Sequence, residues 1–219
     1  LAELCDMNQS LLKELSIKAP GTLQHSLQVA NLSEAAADKI GANALLVKTG
    51  AMYHDIGKTL EPRYFIENQS GTNPHSELNN FQSAEKIISH VTEGLKMAKK
   101  AKLPKIILDF ISTHHGTTRV EYFYRNQLNA EPEREFDESL FRYPGPKPKT
   151  KEQTILMIAD SLEAACKSLK NPTGRDIDDM VQKIISHKLE NGQTVFSSML
   201  RSIHHVRIEY PEEKKQYKK

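Results

Sequence analysis

The sequence predicts an all-α fold of one domain, with a long irregular insertion at about 117–149. Apolar residues recur at helical spacing in several stretches, and no stretch shows the strict alternation that is typical of a half-buried strand. The chain has 219 residues, 38% of them hydrophobic, which suits one folded domain with its own core. We expect residues 1–219 to form this domain, with a core at about 20–211, a mobile insertion and a frayed tail at 212–219.

The first four predicted helices are delimited by glycine and proline. The first covers residues 22–40, where Leu23, Leu27 and Ala30 form a loose apolar stripe that Gly41 ends. Asn43 can cap the second helix, since a side-chain oxygen at that position accepts from free backbone N–H groups. The second helix ends near residue 57, the third covers about 81–91 and stops at Gly94, and the fourth runs from 104 to about 115.

The insertion separates these helices from the remaining ones. It contains Pro132, Pro144, Pro146 and Pro148, and a connection of this length inside a compact domain is usually functional or mobile. A capping box from Thr150 to Gln153 then restarts the helical pattern. The last predicted helices cover residues 155–169, 176–189 and 197 to about 207.

Composition excludes several classes of protein. Thirty Lys and Arg against 28 Asp and Glu leave a net charge of +2, which argues against a protein that coats nucleic acid. No apolar run approaches the roughly 20 residues that cross a bilayer. Cys5 and Cys166 form no disulfide framework or paired-cysteine motif, so a reducing compartment is favoured. Because the sequence begins at Leu1, we expect an excised fragment, and membrane attachment outside it stays open.

Histidine and aspartate carry the chemical signal. Asp160 interrupts the apolar run of residues 155–159, and an unpaired inward carboxylate is costly, so a metal ion is the simplest compensation. Taken singly, each histidine is more often a hydrogen-bonded core residue than a ligand. Several histidines and aspartates together in one helical chain indicate a metal site more specifically than any one of them does. Side chains from different helices can meet in one core. The set is His25, the doublet His54-Asp55, His90, the doublet His114-His115, and Asp160.

The order His25, His54-Asp55, Asp160 resembles the HD phosphohydrolase superfamily, which is named for the His-Asp doublet. Residues 53–58 match the extended HDxGK form of that motif. Further stretches resemble the intracellular HD domain of the seven-transmembrane HD receptors, the PgpH-type cyclic di-AMP phosphodiesterases. These stretches are residues 73–75, 88–91, 113–117, 143–148, 157–164 and 205–211, so the resemblance covers nearly the whole chain.

The resemblance implies a single HD-domain helical bundle and a site with two metal ions. His25, His54, Asp55 and Asp160 would bind the first ion. Asp55, His90, His114 and His115 would bind the second, with Asp55 as the bridge. Imidazole and carboxylate ligands without thiolate suit iron or manganese, which family members use.

The ligand set implies a mechanism in which a hydroxide bridging the metals attacks phosphorus. Asp55 and Lys58 are the expected catalytic residues, with Lys58 contacting a substrate phosphate. From the insertion we expect substrate contacts by Thr118, Tyr124 and Arg125, because aromatic and cationic side chains can stack bases and hold phosphates.

The resemblance implies hydrolysis of cyclic di-AMP to pApA, with no DNA or RNA polymer as partner. It also implies a cytoplasmic domain of a plasma-membrane protein, with no direct membrane contact in this fragment. Two alternatives stay open. The first is another HD phosphoester hydrolase acting on cyclic di-GMP or a nucleotide, although Gly116-Thr117 after the histidine doublet departs from the cyclic di-GMP signature. The second is a non-catalytic sensor of cyclic dinucleotides, which would be expected to lack a ligand.

Overall fold

The computed structural model describes residues 1–169 and 172–194. Within these ranges it contains eight α-helices, short 3-10 helices and no strand, so the all-α prediction is confirmed. The α-helices are α1 (Ser10–Lys18), α2 (Pro20–Lys39), α3 (Ala44–Tyr53), α4 (Asn80–Lys100), α5 (Lys105–Thr113), α6 (Glu121–Ala130), α7 (Lys151–Cys166) and α8 (Gly174–Glu190).

The main hydrophobic core lies between α2, α3, α5 and α7. Val29, Val47, Phe110 and Leu156 are buried apolar residues that represent these four helices in it. The buried Leu15 of α1 belongs to the same core, so the core begins before residue 20. Burying one such side chain contributes about 1.5–3 kcal/mol, so this core holds fixed the helices from which the polar site is built.

Helix α4 extends past Gly94, where the sequence predicted it to stop. A Cβ at Gly57 would lie 1.9 Å from the carbonyl oxygen of His90, and one at Gly94 would lie 3.2 Å from the backbone nitrogen of Gly57. Both glycines are therefore needed for the close packing of α4 on the 3-10 helix Ile56–Thr59. This contact brings His90 beside the segment that carries Asp55, and it outweighs the roughly 1 kcal/mol cost of a glycine within a helix.

The insertion at 117–149 is more regular than the sequence suggested. Its first part forms α6, in which Phe123 and Gln127 are buried one turn apart. All four prolines lie after this helix, so they do not interrupt it. The irregular prediction was therefore wrong for residues 121–130.

The insertion packs through a second hydrophobic cluster, separate from the main core. Phe141 is fully buried there, and its ring centroid lies 5.0 Å from that of Phe81 in α4. Val120 donates a backbone hydrogen bond to the Phe141 carbonyl at 2.8 Å. The cluster consists of Phe81, Ala84, Ile87, Ile88, Val120, Phe123, Tyr124, Phe136 and Phe141.

The last described helix agrees closely with the sequence. Thr173 and Asp176 form a capping box at the start of α8, which ends at Glu190. The helix predicted at 197–207 and the tail at 212–219 lie outside the described residues. Within the described part, no helix has the length and apolarity that a bilayer span requires.

Candidate metal centre

The seven histidine and aspartate residues singled out from the sequence lie together. They come from α2, α4 and α7 and from the residues that directly follow α3 and α5. His25 Nε2 lies 3.0 Å from Asp160 Oδ1, and His90 Nε2 lies 3.3 Å from Asp55 Oδ1. All but His115 are buried, so five helices converge on one polar centre inside the protein.

These residues form two groups that share Asp55. In each group, one candidate ligand atom per residue lies within 4.8 Å of every other. The first group is His25, His54 and Asp55, and the second is Asp55, His90, His114 and His115. Asp160 lies between them, with Oδ1 3.7 Å from His54 Nε2 and Oδ2 3.8 Å from His115 Nδ1.

Three of the histidines are fixed by their own helices. The Nδ1 atoms of His54, His90 and His114 lie 2.6, 2.6 and 2.8 Å from backbone carbonyls three residues earlier. A carbonyl only accepts, so each Nδ1 carries a proton, and each Nε2 is the nitrogen whose lone pair can bind metal when the ring is neutral. The helices thus set both the tautomer and the direction of these ligand atoms.

The Nε2 atoms of His90 and His114 lie only 3.2 Å apart. With both protons on Nδ1, two lone pairs face each other, and a cation between them would turn repulsion into coordination. The buried atoms His54 Nε2 and Asp55 Oδ1 also make no hydrogen bond to the described residues. Buried polar atoms without partners are costly, so the residues fit a metal centre.

The protonation states of His114 and Asp55 favour metal binding, whereas His54 and His25 tend to keep a proton, since Asp160 and Asp55 also raise the pKa of His25 against its burial. Burial lowers the pKa of His114 to about 4, so its imidazole is neutral at pH 7. Burial would raise the pKa of Asp55, but His54 and Lys58 outweigh it and hold that pKa well below its usual value. Burial also opposes protonation of His54, yet Asp55 and Asp160 raise its pKa to about 10. His54 must therefore lose a proton when a metal binds.

Lys58 provides a fixed positive charge beside Asp55. Its Nζ lies 2.8 Å from Asp55 Oδ2 and 2.9 Å from Glu67 Oε1, and its side chain is 12% exposed. Burial opposes the charged form, but the two carboxylates raise the pKa of Lys58, so it stays protonated at neutral pH. Thr22 donates to Glu67 at 3.0 Å and so holds this carboxylate against the ammonium group.

A cavity of about 680 Å³ opens onto the centre. His115, Asp160, Lys58 and Tyr143 line it at the metal-centre side, and Ile66 lines its rim. The Tyr143 ring stacks on the His115 ring at 4.1 Å and 26°. The Tyr143 backbone donates to the Thr118 carbonyl at 2.9 Å, which ties this tyrosine to the residues just after the histidine doublet.

The three predicted substrate contacts from the insertion do not line this cavity. Thr118 donates its hydroxyl to the His115 carbonyl at 2.7 Å. Tyr124 belongs to the second hydrophobic cluster, and its hydroxyl lies 3.3 Å from Glu138. Arg125 is 76% exposed and forms an ion pair with Glu121 at 3.2 Å. The structure therefore gives no support to substrate contact by these residues.

Among the residues that contact the centre or line its cavity, sequence reasoning missed Glu67, Tyr143 and Glu163. Tyr143 lies in the Tyr-Pro-Gly-Pro stretch that carried the resemblance, which was an available signal. Glu67 lies in an irregular connection between α3 and α4 and has no distinguishing pattern. Glu163 follows Asp160 by three residues, and helical spacing alone places it on the same face of α7.

Comparison with known proteins gives both a family and close relatives. The HD domain family matches residues 22–165. Cyclic-di-AMP phosphodiesterase PgpH of Listeria monocytogenes is 44% identical over 98% of this chain and 32% of its own length. The Bacillus subtilis protein of the same name is also 44% identical, over 100% of this chain and 33% of its own length. The chain thus spans about a third of these relatives.

A solved structure matches the fold over most of the chain. The crystal structure of the L. monocytogenes phosphodiesterase PgpH HD domain in complex with cyclic-di-AMP superposes with a TM-score of 0.83 at 45% identity. The match covers 90% of this chain and 95% of that domain.

Proposed function

Because the chain belongs to the HD domain family, we propose that it is a metal-dependent phosphodiesterase that hydrolyses cyclic di-AMP to pApA. One observation carries the proposal, namely two groups of candidate ligands that share Asp55 at one side of an open cavity. The substrate is supported by the complex of the 45% identical domain with cyclic di-AMP. Catalysis is favoured over a sensor role because each of the seven expected ligand positions carries a histidine or an aspartate.

Two divalent ions, iron or manganese, are the proposed cofactors. His25, His54, Asp55 and Asp160 would hold one, and Asp55, His90, His114 and His115 the other. When bound, such a pair activates water for attack on phosphorus and neutralises charge on the phosphate oxygens. The ligand set contains imidazole and carboxylate without thiolate, which agrees with this choice of metals.

Lys58 and Tyr143 are the proposed contacts for the reacting phosphate. Both line the cavity beside the centre, and Lys58 stays charged there. The Tyr143 hydroxyl makes no hydrogen bond to the described residues and can donate to a phosphate oxygen. Burial raises the pKa of Tyr143, so the hydroxyl keeps its proton at neutral pH. Glu67 would orient the ammonium group of Lys58 toward the substrate.

Another part of the cavity wall suits a nucleoside. Gln24 and Gln28 lie one turn apart on α2 and line the cavity with Ile66, a residue that is 83% exposed. A purine has apolar faces and a polar edge, so the isoleucine and the two amides together match its chemistry. We assign this wall to one adenosine of the dinucleotide.

The location of the parent protein is also a proposal. We infer a cytoplasmic domain of a membrane-anchored protein, on the basis of its resemblance to the intracellular HD domain of the seven-transmembrane HD receptors. Fractionation of cells that express the full-length protein tests this inference. Recovery with the membrane pellet is expected, and recovery in the soluble fraction would contradict it.

A substrate panel tests the enzyme and its specificity together. The chain is purified without chelators, supplied with Mn²⁺ or Fe²⁺, and incubated with cyclic di-AMP, cyclic di-GMP and a single-stranded RNA. We expect pApA as the product and cyclic di-AMP as the fastest substrate. Binding of cyclic di-AMP without any linear product would show a sensor, and faster cleavage of cyclic di-GMP or RNA would overturn the substrate assignment.

A further inference from the structure

His25 is held differently from the three other anchored histidines. The Nδ1 atoms of His54, His90 and His114 face backbone carbonyls of their own helices. His25 Nδ1 instead lies 2.6 Å from Oε2 of Glu163, a carboxylate on α7. This anchor is charged and joins two helices, so the orientation of His25 depends on a side chain rather than on local backbone geometry.

Glu163 is built into this position. Its side chain is 9% exposed, and its second oxygen lies 2.7 Å from Lys167 Nζ one turn later on α7. On the opposite side of the His25 ring, Nε2 lies 3.0 Å from Asp160 Oδ1. One turn of α7 therefore supplies a carboxylate to each ring nitrogen, with Asp160 inside the candidate centre and Glu163 behind it.

We propose that Glu163 is a positioning residue that fixes the tautomer and orientation of His25 for metal binding. A carboxylate that accepts from Nδ1–H holds a proton there, so Nε2 is the nitrogen that faces the centre. The carboxylate also increases the basicity of the imidazole, which strengthens a ligand of this kind. The inference rests on the metal centre of the proposed function but not on the identity of the substrate.

A purely structural role makes a different prediction. Glu163 and Lys167 are four residues apart on one helix, and such ion pairs stabilise helices slightly. If the ion pair were the only role, removing Lys167 and removing Glu163 would change the same property, thermal stability. A positioning role instead predicts that only removal of Glu163 weakens metal binding, because Glu163 contacts His25 and Lys167 does not.

Manganese binding distinguishes these roles. Equilibrium dialysis with Mn²⁺ alone, followed by metal analysis, is performed on the wild type, Glu163→Gln and Glu163→Ala. Loss of such an outer contact typically weakens metal affinity by about 10–100-fold. We expect this loss for one of two ions in Glu163→Ala, and a smaller loss in Glu163→Gln, which retains a neutral acceptor. The electron paramagnetic resonance spectrum should change from a coupled pair to a single ion.

Two control variants accompany the measurement. Lys167→Ala removes the ion pair alone, and Glu152→Gln neutralises a carboxylate on the same helix that contacts the Asn43 backbone at 3.1 Å, away from the centre. Both should bind two ions with affinities within about twofold of the wild type. Circular dichroism checks that all variants are folded.

Unchanged Mn²⁺ affinity at both sites in folded Glu163→Ala would overturn the inference, and so would an equal loss in Lys167→Ala. Failure here is distinguishable from failure of the proposed function. A wild type that binds two ions but cleaves no cyclic di-AMP contradicts only the function. A wild type that cleaves it, with full metal affinity in the variants, contradicts only the role of Glu163.

Discussion

The candidate metal centre and the insertion at 117–149 both contain side chains that the sequence singled out, but the fold uses them in opposite ways. In the centre, polar residues from five helices are buried, and the Nδ1 atoms of His54, His90 and His114 are fixed by hydrogen bonds. In the insertion, aromatic residues that could have stacked on bases pack on one another in the second hydrophobic cluster. Residue type therefore indicates chemistry only when the fold directs the side chain to the cavity.

Tyr143 is where the two regions meet. The second hydrophobic cluster holds Phe141 two residues earlier, and backbone hydrogen bonds join residues 120 and 118 to 141 and 143. This pairing directs Tyr143 onto His115 and into the cavity. The insertion thus supports the centre mainly as a scaffold for one residue.

The largest expected effect comes from the residue that both ligand groups share. Asp55→Ala removes that ligand and leaves two cations without a bridge. Losing one preorganised electrostatic contact costs about 10²–10³ in kcat, and we expect at least that loss here. Hydrolysis of cyclic di-AMP measures it. Activity within tenfold of the wild type would show that the shared aspartate is not central.

The pH dependence of Mn²⁺ affinity tests the protonation state of His54 in the centre. The folded pKa of His54 is raised to about 10, so its proton stabilises the metal-free protein below pH 6.5 and is lost as the pH rises through 10. Metal binding must displace this proton, so Mn²⁺ affinity should rise by at least about tenfold per pH unit, or at least about 100-fold from pH 6.5 to 8.5. Dialysis at several pH values measures this slope. A flat profile would contradict the protonated state of His54.

Tyr143→Phe tests the one insertion residue that reaches the cavity. The ring still stacks on His115, but the hydroxyl that would donate to phosphate is lost. A hydrogen bond to a charged group contributes about 1.5–3 kcal/mol, which corresponds to a loss of roughly ten- to a hundredfold in kcat/KM. Metal content should not change. A variant that lost manganese would instead make Tyr143 part of the metal site.

The smallest effect is expected in the rest of the insertion. Arg125→Ala removes only an exposed ion pair with Glu121, and such pairs contribute about 0–1 kcal/mol. Tyr124→Phe removes a hydroxyl that faces Glu138 rather than the cavity. Steady-state kinetics should give values within about twofold of the wild type for both. A tenfold rise in KM for either variant would instead show that the insertion contacts the substrate.

Much of the fold was predictable because helices are specified locally. The boundaries of α2 and α8 and the start of α3 follow from apolar spacing, caps and glycine stops, whereas α3 ends at Tyr53 and not near residue 57. Gly94 misled the prediction because its role depends on a partner 37 residues earlier, Gly57, which no local pattern reveals. The prediction was also wrong for the insertion, because its prolines suggested an irregular segment although a helix precedes them.

The candidate site was predictable in part for a related reason. The spacing of the histidines and aspartates is a property of the sequence, so the seven residues could be named before they were seen together. The contacts that orient them could not be named, because Glu67 and Glu163 look like surface carboxylates until the helices pack. Helical spacing places Glu163 on the face of α7 that carries Asp160, but only the tertiary structure shows what either carboxylate contacts.

The central claim is that the two groups sharing Asp55 hold a pair of metal ions. Anomalous diffraction from crystals soaked in Mn²⁺ tests it most directly. We predict two manganese peaks, one beside His25 and His54 and one beside His90, His114 and His115, with Asp55 contacting both. A single peak, or none within reach of Asp55 in a folded, fully soaked crystal, would contradict the account.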